Sequence, residues 1–165
     1  MLVPKLTAPR TVLATVEDVR AAATTVASAA QRVLTICTHE LESAIFEYPP
    51  LISAVKRLVL GPRFAKVRVL VLNPGRIMYS RHEFIALARK LTSYVEIRNA
   101  QSPFRENPAT YMIADDQATM YRLQHSRWDG ICELRNRDVA RMHLERFDEG
   151  WNESGTPRTP SALQH

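Results

Sequence analysis

Apolar and polar positions follow two different periods along this chain, and the switches between them mark its elements. In "TVEDVRAAATTVASAAQ" the residues Val19, Ala23, Val26, Ala27 and Ala30 recur at helical spacing, which places them on one stripe of an amphipathic helix. Thr15, with Asp18 three residues on, supplies a capping box at its start. "RVLTICT" (32–38) is a β-branched run, apolar on both faces, as an internal strand covered on two sides should be. "YPPLISAVKRLVLGP" predicts a second helix, opened by proline, carried by Leu51, Val55, Leu58 and Val59, and closed at Gly61-Pro62. "KVRVLVL" (66–72) is a second strand. After the turn "NPGR", the stretch "SRHEFIALARKLTS" predicts a third helix, in which Ser80 and Glu83 form the capping box ahead of Phe84, Leu87, Ala88 and Leu91.

"YVEIR" (94–98) alternates as a third strand, and a polar stretch through Pro103 and Pro108 leads to "ATYMIA" and "ATMYRL", two strands flanking the turn Asp115-Asp116-Gln117. "NRDVARMHLERFDEGW" closes the pattern as a helix with Ala140, Leu144, Phe147 and Trp151 on one face and Asp138 near its positive end. Strand, helix, strand, helix, strand is the grammar of parallel α/β units, and the hairpin makes the sheet mixed. The expectation is an α/β fold with a mixed, largely parallel sheet and helices on both faces. Residues 1–14, with Pro4 and Pro9 and no period, read as an N-terminal arm. Residues 15–152 read as one domain, and 153–165 as a flexible tail.

The chain has 165 residues, 45% hydrophobic and 24% charged, which suits a single globular core. Its formal charge of +5 is unevenly placed: residues 31–99 hold eleven Lys or Arg against five acids, whereas 100–165 hold eight against ten. Lys56, Arg57, Arg63, Lys66, Arg68, Arg76, Arg81, Arg89 and Lys90 make this basic middle third. They are spread over helices and a strand with few aromatics among them, so attraction to a phosphate backbone is compatible with the pattern and base reading is not. Cys37 and Cys132 lie far apart in no metal-binding spacing, which argues against a disulfide scaffold or zinc framework. The start "MLVPKLTAPR" lacks an apolar leader core, and no run of eighteen uncharged apolar residues exists, so the expectation is a cytoplasmic protein without membrane insertion. The five glycines fall in no phosphate-cradling pattern, and no cofactor is expected.

Ligand sites in open α/β sheets lie beyond the carboxyl ends of the parallel strands. Those ends supply His39, Asn73, Arg76 and Arg98, with Arg122 and His125 closing the second hairpin strand. If these converge they form a cationic cleft suited to phosphate or carboxylate groups; the competing reading is a set of scattered arginines on a solvated surface. In "CTHELE" strand alternation would turn Cys37 and His39 to one side, but two ligands do not make a metal site. Cys37 reads as a small core residue, and Asp115-Asp116 as turn residues.

The arrival of "ATYMIADDQATMYR" after three α/β units and before a closing helix resembles one half of a phospholipase D-like domain. It resembles more closely an uncharacterised bacterial domain family of that fold, sometimes found beside acetyltransferase-like domains. The likeness covers residues 15–152 and rests on element order and hydrophobic pattern. In active members a His-x-Lys pair lies on the first hairpin strand and an Asp follows at its end. With Asp115 as that aspartate, Pro108 stands in the histidine place and Thr110 in the lysine place; sliding to Asp116 gives Ala109 and Tyr111. Proline and threonine can neither carry a covalent phosphoryl group nor protonate the leaving oxygen as that mechanism requires. The asparagine position of the following segment falls near His125. The resemblance therefore implies a non-catalytic binding or regulatory module for an anionic, phosphate-bearing ligand, built as a homodimer with a composite cleft. Two alternatives stand beside it: a phosphodiesterase or transferase of altered chemistry using His125 or His39, and a structural partner of an acetyltransferase-like protein.

Overall fold

The structure is a computed structural model and describes residues 9–75 and 82–154. Seven strands form one sheet: β1 (Arg10–Leu13), β2 (Val33–Thr38), β3 (Lys66–Val71), β4 (Val95–Asn99), β5 (Thr110–Ala114), β6 (Ala118–Arg122) and β7 (Gly130–Glu133). Their spatial order is β1-β7-β6-β5-β2-β3-β4. The sheet is α/β and mixed, as expected, but it is not largely parallel. Only β2–β3 and β3–β4 run parallel, while β2–β5, β5–β6, β6–β7 and β1–β7 are antiparallel. The reason is the placement of the hairpin. β5 joins the sheet beside β2, on the side away from β3, and every strand outside it follows by antiparallel pairing.

The helices are α1 (Val16–Ala29), the single turn α2 (Ser43–Phe46), α3 (Pro49–Val59), α4 (Glu83–Lys90) and α5 (Arg137–Glu153). The first four pack on one face, over Leu34, Ile36, Val67, Val69, Val71, Met112 and Ala114. On the opposite face α5 sets Ala140, Phe147 and Trp151 against Cys37, Leu70, Leu72, Tyr111 and Ile113. Neighbouring residues of one strand thus enter different cores, because strand side chains alternate; this is why β2 is buried at every step from Leu34 to Thr38. The Thr15–Asp18 capping box forms as the spacing predicts. At α4, however, the cap is His82, whose ring accepts from the Phe84 and Ile85 amides; Ser80, expected as the cap, lies outside the described residues.

Two strands escape the hydrophobic pattern. β1 lies within the stretch expected to be an arm: Leu13 is 2% exposed and Val12 75%, and the strand pairs with β7 along the sheet edge. β7 begins at Gly130, where a Cβ would stand 2.6 Å from the Tyr121 carbonyl oxygen, so only glycine lets β7 approach β6 there. A second close approach occurs on α5. A Cβ at Gly150 would stand 2.7 Å from the Phe104 ring, which packs flat on the helix. Residues 1–8 of the expected arm and 155–165 of the expected tail are outside the described residues, and the helix α5 runs one residue into that tail.

The hairpin turn is fastened to the rest of the sheet by Asp115, which sits at φ +54°. Its carboxylate accepts from the backbone amides of Gln31, at 3.1 Å, Arg32, at 2.8 Å, and Val33, at 3.0 Å. One side chain thereby fixes the α1–β2 connection against the β5–β6 turn, which sets the register of β2 against β5. Asp115→Ala removes three acceptor contacts and places a less tolerant residue at positive φ. It should lower unfolding free energy by about 2–3 kcal/mol, with Asp115→Asn costing less, measured by urea denaturation.

Candidate functional site

Because β5 runs antiparallel to β2, its first residues and the last residues of β6 lie at the carboxyl ends of β2 and β3. This rim gathers some of the candidate residues and scatters others. His39, one residue past β2, and His125, past β6, stack face to face with ring centroids 3.5 Å apart and an interplanar angle of 4°. The Asn73 amide donates to the His39 carbonyl at 2.7 Å, and the His125 amide donates to the Pro108 carbonyl at 2.9 Å. Each histidine is thus pinned through its backbone. Plates held face to face cannot hydrogen-bond one another, and among the described residues neither ring has a hydrogen-bond partner. Burial and the adjacent His125 both hold His39 below the ordinary histidine value, against an opposing pull from Glu40 and Glu42.

Arg122 was expected to face a ligand, and it does not. Its side chain is 3% exposed and pairs with Glu42 at 2.9 Å. Nε donates to the Arg127 carbonyl at 2.9 Å and Nη2 to the His125 carbonyl at 2.8 Å, while the guanidinium lies 4.5 Å from the centre of the Trp128 ring. A buried cation survives only with such a set of partners. Arg122 is therefore a positioning residue: it ties the loop after β2, through Glu42, to the loop that carries His125. Beneath it the cavity lined by Glu42, Thr110 and Arg122 has a volume of ≈ 10 Å³, the lower limit for one water. A ligand larger than water must lie on the rim and not inside it.

Arg98 is engaged away from the histidines. Its side chain takes the α5 face of β4, bonded to the Glu96 carboxylate at 2.8 Å and the Trp151 carbonyl at 3.1 Å, and it stands 4.1 Å from the Trp151 ring centre. Arg76 lies outside the described residues. Cys37 is buried in the α5-side core and its thiol is pushed up to about 12 by burial, in keeping with a packing role. No group of three or more His, Cys, Asp or Glu is gathered for a metal among the described residues.

Two positioning residues were not anticipated. One is Glu42: nothing in "CTHELE" reveals that an arginine eighty positions away closes on it. His82 is buried at 4% exposure; since its Nδ1 accepts from the Phe84 and Ile85 amides, Nε2 carries the proton and donates to the Leu41 carbonyl at 2.9 Å. That bond holds Leu41 at φ +60°, between His39 and Glu42. The signal was available: a polar residue directly before Glu83 and the apolar stripe is a cap position.

Thr110 faces this same ground. It is 4% exposed and is the register partner of Arg122. The three described lysines sit elsewhere: Lys56 in the last turn of α3, Lys66 at the start of β3 and Lys90 at the end of α4. All three belong to the opposite end of the parallel strands.

Two outcomes are expected. Arg122→Ala leaves the Glu42 carboxylate and two carbonyls without their donor, and should destabilise the chain by about 3–5 kcal/mol in chemical denaturation. Acidification should also destabilise it. The folded values of His39 and His143 both lie below the ordinary 6.5, so as pH falls through 6.5 the unfolded chain takes up protons that the folded chain resists, and stability is lost. His39→Phe keeps a flat ring at the stack and removes one of these protons; the decline of melting temperature between neutral and mildly acidic pH should become shallower, though not vanish, because His143 remains.

No curated protein matches the sequence. Among solved structures, TrmBL2, described as an archaeal chromatin protein with a novel mode of DNA binding, superposes with a TM-score of 0.66 at 14% identity, over 89% of this chain and 53% of that one. The chain thus spans about half the length of that protein. Nuc from Salmonella typhimurium, a phospholipase D family member, gives a TM-score of 0.58 at 14% identity, over 83% of this chain and 89% of that one. NucT from Helicobacter pylori gives 0.58 at 11% identity, over 87% and 95%. At such identities the likeness establishes the fold, which is phospholipase D-like. A family model described as a domain of unknown function, DUF7931, matches residues 15–160, and with nearly its whole folded length so matched the chain belongs to the DUF7931 family.

Proposed function

We propose that this chain is a non-catalytic phospholipase D-like module that binds a phosphate-bearing ligand at the histidine rim. The observation that carries the reading is the stacked pair of His39 and His125, 3.5 Å apart, on a rim where Pro108 and Thr110 take the places that the resemblance reserves for a nucleophilic histidine and a lysine. A doubly protonated stack repels itself, and a bound phosphate removes that repulsion by neutralising it. The arrangement is therefore suited to anion binding coupled to proton uptake. Arg122 supports the ligand indirectly, by holding the loop of His125, and its own charge is balanced by Glu42. A second copy of the chain would complete the cleft, as the phospholipase D resemblance implies.

The same contact favours one other reading, a phosphodiesterase of altered chemistry, since two adjacent imidazoles can divide the roles of nucleophile and acid. One experiment separates them. Purified chain is titrated with inorganic phosphate and with a short oligonucleotide, and is incubated with a chromogenic phosphodiester. Our reading expects binding that tightens on acidification, since His39 lies below the ordinary histidine value in the free chain and an anion favours its charged form, weakens roughly tenfold in His39→Ala or His125→Ala, and occurs without turnover. Turnover that disappears in His125→Ala would replace this reading with the enzymatic one, and binding indifferent to both substitutions would end it.

A further inference from the structure

The basic middle third of the sequence finds its place at the end of the molecule opposite the histidine pair. α3 and α4 run antiparallel to β3 and β4, so their last turns and the strand starts share one end. Arg32, Lys56, Arg57, Arg63, Lys66 and Lys90 are all exposed there. The contacts confirm the grouping: Arg63 donates to the Gln31 side chain at 2.9 Å, Lys66 donates to the Ser93 carbonyl at 2.8 Å, and the Lys66 amide meets the Arg32 carbonyl at 2.8 Å. The acids toward this end are Asp115 and Asp116 on the hairpin turn, with Glu96 early in β4, Glu133 at the end of β7 and Asp138 in the first turn of α5 on the side of the sheet away from α3. Asp115 is taken up by three backbone amides, Asp116 by Arg137 and Arg141.

Within this basic field the α3–β3 connection projects two large apolar side chains. Phe64 is 80% exposed and Leu60 66%. Phe64 also sits at φ +55°, a conformation that bulky residues rarely adopt and that glycine or asparagine adopts readily. Neither packing nor backbone preference within this fold accounts for a phenylalanine at that point. Beside it, Ile52, Leu60, Leu87 and Leu91 line a groove of ≈ 310 Å³ between α3 and α4, edged by Lys56 and Lys90, with Glu83 at the start of α4 as its one acid.

We infer that this end adsorbs to an anionic lipid surface, with Phe64 and Leu60 entering the interface and the surrounding cations meeting acidic headgroups. Apolar side chains projecting from a ring of basic ones are what an interfacial contact needs, since burial of apolar area and attraction to anionic lipid add. A nucleic acid fits less well. Strand binding draws on aromatic platforms, yet Phe64 is the one aromatic among the described large hydrophobic residues that stand exposed, and the remainder of the apolar surface is aliphatic. The contact is peripheral, for no described helix is long and apolar enough to cross a membrane.

The test is co-sedimentation of the full chain with vesicles of equal parts phosphatidylcholine and phosphatidylglycerol, against phosphatidylcholine alone, with a single-stranded oligonucleotide as competitor. The chain should pellet with the anionic vesicles only, and less so as salt is raised. Phe64→Asn, which suits the positive φ and should keep the melting temperature, should weaken binding about tenfold, and Arg57→Glu with Arg63→Glu should abolish it. His39→Ala should leave it unchanged, which separates this surface from the histidine rim. Failure to pellet, equal pelleting with neutral vesicles, or indifference to Phe64→Asn would overturn the inference. Displacement by the oligonucleotide would reassign the surface to nucleic acid.

Discussion

One buried guanidinium organises the candidate site. Arg122, at the last position of β6, reaches Glu42 in the loop after β2 and two carbonyls in the loop after its own strand. Those loops carry the two histidines, which meet through the ring stack, while the His125 amide is held separately by the Pro108 carbonyl ahead of β5. Buried ion pairs of this kind contribute little net stability compared with a well-packed apolar core, yet losing one partner leaves an uncompensated charge in a dry place. The arrangement therefore acts as a register device more than as a source of stability. It favours the loop geometry in which the two imidazoles meet.

That geometry in turn depends on the hairpin's position. If β5 had joined beyond β4, its ends would lie far from His39. Pairing with β2 in antiparallel sense brings Pro108 and Thr110 alongside Thr38 and His39, while the turn, at the far end, is fastened by Asp115 to the amides that start β2. The molecule thus has two chemically distinct ends. One has histidines and balanced charge, and the other has exposed cations and projecting apolar groups.

Local patterning revealed much of this. The stripe of Val19, Ala23 and Val26, the proline-opened α3 and the alternation of the hairpin strands each report which surface a residue buries, and burial is a local property of period. Strand order is not, because antiparallel insertion of β5 beside β2 depends on which edge is free when the hairpin forms, and no single segment records it. β1 was hidden for a related reason: four residues between prolines and a helix cap carry too few positions to display a period of two. β7 was hidden by its opening glycine and by the polar run before it. At the site, His39, Asn73 and His125 could be proposed from their positions at strand ends. The burial of Arg122 could not, since a side chain that reads as surface cation becomes internal only when Glu42 and two carbonyls converge on it, and the same holds for Arg98, drawn across Trp151 on the other face.

The pairing of Thr110 with Arg122 has a corollary for substitution. Cross-strand partners place their side chains on the same side of a sheet, so a lysine installed at position 110 would set an ammonium against a guanidinium in a region closed to solvent. Seating a lysine there would then take coordinated replacement of Arg122 and Glu42 together with the threonine, and a single step toward it passes through a less stable chain. Electrostatics alone thus locks the residue choice at positions 42, 110 and 122 together.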